Sequence, residues 1–299
     1  MAADLSLRGV YVPLVTPFDA SGAVAVDAIE RLCHEYLDAG AAGIVALGTT
    51  GEAPAVTDDE RAAILEACGS VCAQRGAQLI AGAGGNNTDK SVASVAALDG
   101  LAGLAAALVA VPYYVRPSQE GIVAHFRAVA AASPVPVVVY NIPFRTGREL
   151  EAAGVLELAA TPNVAGVKQA TAALDQATLT ILAGAPRGFH VLSGDDPFML
   201  PVVLMGGTGG ICASAHVCTE RFVSMVECGL AGKVEEGRSH AEALLPVCDA
   251  LFAEPNPAVI KGVLHAQGRI PTPDLRLPMT PAAPGSIAAA LAAVESAGA

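Results

Sequence analysis

The 299-residue sequence predicts an α/β chain folded as a (β/α)8 TIM barrel with a C-terminal helical appendage. Three observations predict it. Short apolar runs rich in Val and Ile alternate with segments of helical periodicity, and eight such strand-then-helix units fit into roughly 200 residues, the count of that barrel. The runs are nearly continuous, as parallel strands covered on both faces require. After Gly232 the alternation stops and only helical segments follow. A doubly wound sheet shares the alternation, and periodicity alone leaves it open.

The elements follow in order. Residues 10–16 are the first strand, and 26–39 a helix with Ile29, Leu32, Cys33, Tyr36 and Leu37 on one face. The second strand is 43–47, and Thr57 with Glu60 three positions on forms a capping box that opens the next helix. Further strands fit 78–83, 104–111, 136–142, 164–168, 189–193 and 210–213. Helices at 89–98, 119–132, 149–160, 175–183, 196–205 and 219–231 fill the gaps. Residues 1–231 thus make the barrel that carries the site. Residues 232–299, with helices at 233–252, 256–267 and 286–297, make an extension packed on it.

Hydrophobic residues make up 53% of the chain and charged ones 15%, far from the profile of a disordered chain. Net charge is -12 and no run of Lys or Arg occurs, which excludes a phosphate-tracking surface and so a nucleic-acid partner. Seven scattered cysteines, odd in number, do not form a disulfide framework. With no secretory leader pattern, a cytoplasmic location is expected. Residues 197–219 lack any Asp, Glu, Lys or Arg, yet Pro197, Pro201, His216 and four glycines between Gly206 and Gly210 argue against a membrane span.

In such a barrel, chemistry gathers at the C-terminal ends of the strands. Strand six ends in Lys168. Held at the barrel mouth and out of water, its amine favours the neutral, nucleophilic form; the alternative is a strand-end lysine that reaches solvent. Strand five ends in Tyr140, a proton relay or a core phenol with a backbone partner, and Arg145 follows as a carboxylate clamp or a solvated arginine. Gly48-Thr49-Thr50-Gly51-Glu52 after strand two offers hydroxyls and backbone N–H groups to a small anion, or is a tight turn. Tyr113 and Tyr114 add two phenols after strand four.

Other signals fail. Gly207-Thr-Gly209 precedes a strand, so it is no dinucleotide fingerprint. The six histidines have no zinc-binding spacing, and no metal is expected. Cys68 and Cys72 read as buried small hydrophobes. Asp196 fits a helix N-terminus as well as it fits a metal.

From about Gly9 to Pro281, the chain resembles the dihydrodipicolinate synthase and N-acetylneuraminate lyase family of pyruvate-dependent class I aldolases. The markers are Gly48-Thr-Thr-Gly-Glu52, Tyr140-Asn-Ile-Pro143, Gly166-Val-Lys168 and Gly194-Asp-Asp196. Within the family, the synthase branch is favoured by Arg145-Thr-Gly147, by Pro112-Tyr-Tyr114 with the loop from Arg116 to Gly121, and by Glu254-Pro-Asn-Pro257 with Leu275-Arg-Leu-Pro-Met-Thr-Pro281. The resemblance implies a Schiff base between Lys168 and pyruvate, with no other cofactor. It implies that Tyr140 relays protons with Thr49 and with Tyr114 of a neighbouring subunit. Thr50 and the backbone near Ile211 would hold the pyruvate carboxylate, with Gly194 also at the substrate. Arg145 would receive the carboxylate of L-aspartate 4-semialdehyde, so that the product, 4-hydroxy-tetrahydrodipicolinate, serves diaminopimelate and lysine biosynthesis. A homotetramer built as a dimer of dimers is the implied assembly.

Two departures stand out. Val115 replaces a common Asn, and Ala53, Asp58, Arg61 and Lys90 stand where lysine-inhibited relatives carry Ser, His, His and Glu, although Asn86 and Tyr113 are retained. Weak or absent inhibition by lysine is therefore expected. Two other readings stay open. One is an aldolase or lyase with the same machinery acting on another aldehyde or a 2-keto-3-deoxy sugar acid. The other is a catalytically silent small-molecule-binding oligomer, against which the intact Lys168, Tyr140, Thr49 and Thr50 argue.

Overall fold

A computed structural model describes residues 5–298. Eight parallel strands close into a barrel in chain order: β1 Gly9–Pro13, β2 Gly43–Ala46, β3 Gln78–Ala83, β4 Leu104–Ala110, β5 Val137–Asn141, β6 Val164–Gln169, β7 His190–Ser193 and β8 Gly209–Ile211. Closure, which sequence periodicity left open, comes from β1 pairing with β8, Gly9 opposite Gly209 and Tyr11 opposite Ile211. The seam is tight. A Cβ on Gly209 would lie 2.0 Å from the Gly9 carbonyl oxygen, and Gly209 has φ of +150°, so only glycine closes the sheet here.

The continuous apolar runs have a physical reason in two separate cores. Alternate strand residues such as Tyr11, Val45, Ile80, Leu108, Val138 and Leu192 fill the barrel interior. Their neighbours, among them Ile44, Leu79, Val109, Val139 and Val167, face outward against Leu32, Ile64, Phe126, Leu158 and Phe222 of the helices. Each such fully buried side chain contributes about 1.5–3 kcal/mol of transfer free energy.

The surrounding helices are α1 Val26–Asp38, α2 Asp58–Arg75, α3 Thr88–Ala96, α4 Gln119–Ala132, α5 Pro143–Thr146, α6 Ala152–Ala159, α7 Gln176–Gly184, α8 Met199–Leu204 and α9 Thr219–Leu230. The Thr57 hydroxyl accepts from the Glu60 N–H at 3.3 Å while the Glu60 carboxylate accepts from the Thr57 N–H at 2.9 Å, the expected capping box. Two expected helices differ. The stretch after β5 first makes the short turn α5, started by Pro143 and stopped by Gly147 at φ +70°, so α6 begins three residues later than expected. Residues 196–198 form a 3-10 turn before α8, with Pro197 in its first turn, where no helical N–H is needed.

The C-terminal segment forms α10 Val234–Leu251, α11 Ala258–Ala266 and α12 Pro284–Ser296. α10 packs on α9 and α12, and α11 on α12 and on the turn Ala213–His216 after β8. Further along, Arg276 straps this segment to the barrel by donating to Glu60 at 2.6 and 2.5 Å, to the Ala55 carbonyl and to the Gly22 carbonyl. Among the described residues no helix is long and apolar enough to cross a membrane.

Candidate active site

Parallel pairing sets Tyr140 of β5 directly beside Lys168 of β6. Both side chains turn into the barrel mouth, Lys168 only 6% and Tyr140 7% exposed, and the lysine Nζ lies 4.1 Å from the centre of the phenol ring. The strand therefore supplies the spacing, and no flexible loop intervenes. The loop beyond β7 completes the lysine's surroundings. A Cβ on Gly194 would stand 3.0 Å from Lys168 Cε and 2.7 Å from Ala170 Cβ, so glycine leaves the room that the lysine stem occupies.

After β2 the chain tightens into a 3-10 turn, Thr49–Gly51, then takes a left-handed step at Glu52. The Thr16 hydroxyl fixes that turn by donating to the Gly51 carbonyl at 2.7 Å. Thr50 is buried, and its hydroxyl accepts from the side-chain amide of Asn256 at 2.9 Å. Glu52 is buried as well, and its carboxylate accepts from Lys261 of α11 at 2.8 Å and from the Arg276 N–H at 3.0 Å. Lys261 is fully buried and also donates to the Thr16 carbonyl. Burial pulls its pKa down, and Glu52 opposes that shift.

One cavity of about 410 Å³ is walled by Thr49, Thr50, Tyr140, Lys168, Gly194, Ile211 and Asn256. Arg145, exposed and in no ion pair with any described residue, stands on its rim and on that of an adjoining chamber of about 510 Å³. Thr49, Tyr140, Ile142 and Asn256 line both chambers. Asp195 and Asp196 line the inner one. Burial raises the pKa of each, while the Ala172 N–H bonded to Asp195 at 2.7 Å and Ser214, whose N–H is bonded to Asp196 at 2.7 Å, oppose it. Asp196 thus caps no helix; its carboxylate ties the loop after β7 to the turn after β8.

Seven of the eight candidate residues, Lys168, Tyr140, Thr49, Thr50, Arg145, Ile211 and Gly194, line this inner cavity. Tyr114 does not. It is 87% exposed at φ +72°, its N–H donating to the Thr146 carbonyl, beside a surface that also exposes Tyr113, Val115 and Phe144. Asn256 and the Glu52–Lys261 pair were not singled out as site residues from the sequence. The signals available were Glu254-Pro-Asn-Pro257 and one lysine inside an apolar helical run.

A further hollow of about 560 Å³, bordered by Glu35, Arg221, His240 and Arg269, contains none of these residues. Among the described residues no cluster of three or more His, Cys, Asp or Glu side chains could hold a metal. All seven cysteines are free. Cys68 lies 3.9 Å from Cys33 of the neighbouring helix, and both are buried.

The model of the Dihydrodipicolinate synthetase family matches residues 6–296. A 4-hydroxy-tetrahydrodipicolinate synthase of Moorella thermoacetica is 41% identical over 275 residues, covering 90% of this chain and 91% of that protein. One from Neisseria meningitidis is 38% identical, covering 98% and 99%. The crystal structure of the dihydrodipicolinate synthase of Acinetobacter baumannii complexed with pyruvate superposes with a TM-score of 0.93 at 31% identity, covering 98% and 99%.

Proposed function

The chain belongs to the Dihydrodipicolinate synthetase family, and from that premise we propose that it condenses pyruvate with L-aspartate 4-semialdehyde through a Schiff base on Lys168. The observation that carries this reading is a buried lysine amine paired in register with a tyrosine, inside a cavity rimmed by an arginine with no ion pair among the described residues. The amine attacks the ketone carbon of pyruvate and water leaves, giving an iminium. That cation withdraws electrons, so the methyl group loses a proton and becomes an enamine. The enamine carbon attacks the aldehyde, whose oxygen takes up a proton. The amine of the semialdehyde then adds to the imine carbon, expelling Lys168 and closing the ring as 4-hydroxy-tetrahydrodipicolinate.

Each proton transfer needs a group beside the reacting nitrogen and carbon. Tyr140, whose ring centre lies 4.1 Å from the Lys168 Nζ, takes that role in this reading, with Thr49 of the same cavity lining. Thr50 and the backbone at Ile211 hold the pyruvate carboxylate, with Gly194 beside the Lys168 stem, and Arg145 clamps that of the semialdehyde. An acidic protein needs such local cationic and hydroxyl groups to admit two anions. The iminium is the electron sink, so neither metal nor organic cofactor is required. Tyr114 joins the relay from a second copy in a homotetramer built as a dimer of dimers. That contact would cover the exposed Tyr113, Tyr114, Val115 and Phe144. Seven unpaired cysteines fit a reducing, cytoplasmic setting.

The test is mass spectrometry of the protein mixed with pyruvate and borohydride, with and without an L-aspartate 4-semialdehyde chase before reduction. The expected result is a pyruvyl adduct on Lys168 that the chase removes. An adduct that survives the chase keeps the Schiff base and moves the acceptor to another aldehyde. No adduct overturns the aldolase reading.

A further inference from the structure

Asn256 belongs to the C-terminal segment, 206 positions from Thr50 in sequence, yet its side-chain N–H donates to the Thr50 hydroxyl at 2.9 Å. The residue is 8% exposed and lines both chambers of the site. Its Oδ1 is buried without a partner among the described residues. An apolar side chain would fill the same space with no unpaired acceptor, so burying this amide costs stability where packing alone would not demand it. Such a conflict between local stability and residue choice marks a functional position.

A hydroxyl has one proton to donate and lone pairs to accept with. With Asn256 donating to the Thr50 oxygen, the threonine's own proton must point elsewhere, and no described protein acceptor takes it. We propose that Asn256 is a positioning residue that orients the Thr50 hydroxyl as a donor toward the pyruvate carboxylate. The inference rests on the reading of Thr50 given above. It makes the C-terminal segment part of the machinery that selects an anionic keto acid, acting through Thr50 and touching no reacting atom.

A double-mutant cycle tests this, with the apparent affinity for pyruvate read from the midpoint of borohydride labelling at Lys168. That midpoint reports the folded fraction alone, so a loss of stability does not obscure it. Asn256→Ala is expected to weaken pyruvate binding about tenfold, the size of a lost hydrogen bond to a charged group, while kcat at saturation changes less. In a Thr50→Val background the same change is expected to add nothing. Asn256→Asp, whose carboxylate would accept the Thr50 proton, is expected to bind pyruvate more weakly than Asn256→Ala, and the excess should vanish with Thr50→Val. Additive effects, an unchanged affinity in Asn256→Ala, or an Asn256→Asp excess that persists with Thr50→Val and so reflects charge repulsion would each overturn the proposal. If Thr50→Val alone leaves the affinity unchanged, the premise about Thr50 is wrong and the proposal falls with it.

Discussion

Gly194, which lines the cavity, and the buried His216, which does not, show how single residues carry opposite duties. At Gly194 the missing side chain matters, since an added Cβ would press on Ala170 Cβ, the Gln169 carbonyl and Lys168 Cε. Gly194→Ala is expected to lower kcat/KM at least about tenfold by displacing the lysine, while costing about 1–3 kcal/mol of stability. Steady-state kinetics alongside urea unfolding separates the two effects. His216 is fully buried, its ring accepting from the Val15 N–H at 3.1 Å and bonded to the Ala213 carbonyl at 2.7 Å. Burial brings its pKa down to about 3. An unfolded histidine titrates near 6.5, so between those values the unfolded chain binds the extra proton. The stability contributed by His216 is therefore complete above about pH 6.5 and is lost as pH falls toward 3, by up to about 1.4 kcal/mol per pH unit. His216→Gln should be less stable at pH 7.5 yet show a shallower decline between pH 6.5 and 4 in urea titrations at stepped pH.

Among the elements, α11 does more than cover the barrel. Lys261 is anchored to Glu52 and the Thr16 carbonyl, both next to the Thr49–Gly51 turn, and its Nζ lies 4.2 Å from the centre of the Phe18 ring. Lys261→Met removes one partner of a buried ion pair and is expected to cost about 3–5 kcal/mol, because the Glu52 charge is left uncompensated. Adding Glu52→Gln should recover part of that loss, and a double-mutant cycle in chemical denaturation measures it. This is also where legibility from sequence ran out. Lys168, Tyr140 and the Thr49-Thr50 pair end apolar runs, so local pattern pointed to them. Glu52 and Lys261 are 209 positions apart, and Asn256 is 206 from its partner, so only closure of the barrel reveals what they touch. The helical turn α5 escaped for a local reason, since Pro143 and Gly147 enclose a segment too short to show a 3.6-residue period.

At the scale of the whole molecule, the barrel was legible because both strand faces are apolar and α2, α3, α4 and α7 start at the capping residues Thr57, Asn87, Ser118 and Asp175, although closure itself had to come from the β1–β8 pairing. Docking of an effector depends on chemistry beyond that pattern. The outer chamber carries Arg61, whose guanidinium donates to the Ala53 carbonyl at 3.3 Å. A cation there repels an ammonium, so free lysine is expected to leave the rate unchanged up to millimolar concentration. Half-maximal inhibition at sub-millimolar lysine in a coupled assay would contradict this.

The pairing of the first strand with the last has a consequence for synthesis of the chain. Gly9 meets Gly209, so β1 emerges from the ribosome about 200 residues before its second neighbour exists, roughly 10–40 s at ordinary elongation rates. Through that interval one edge of Val10, Tyr11 and Val12 stays unpaired, an apolar template for any other growing chain. Asn256 and Lys261 are made later still. The Thr49–Gly51 turn and its neighbour Glu52 therefore acquire their tethers to Asn256 and Lys261 only late in translation.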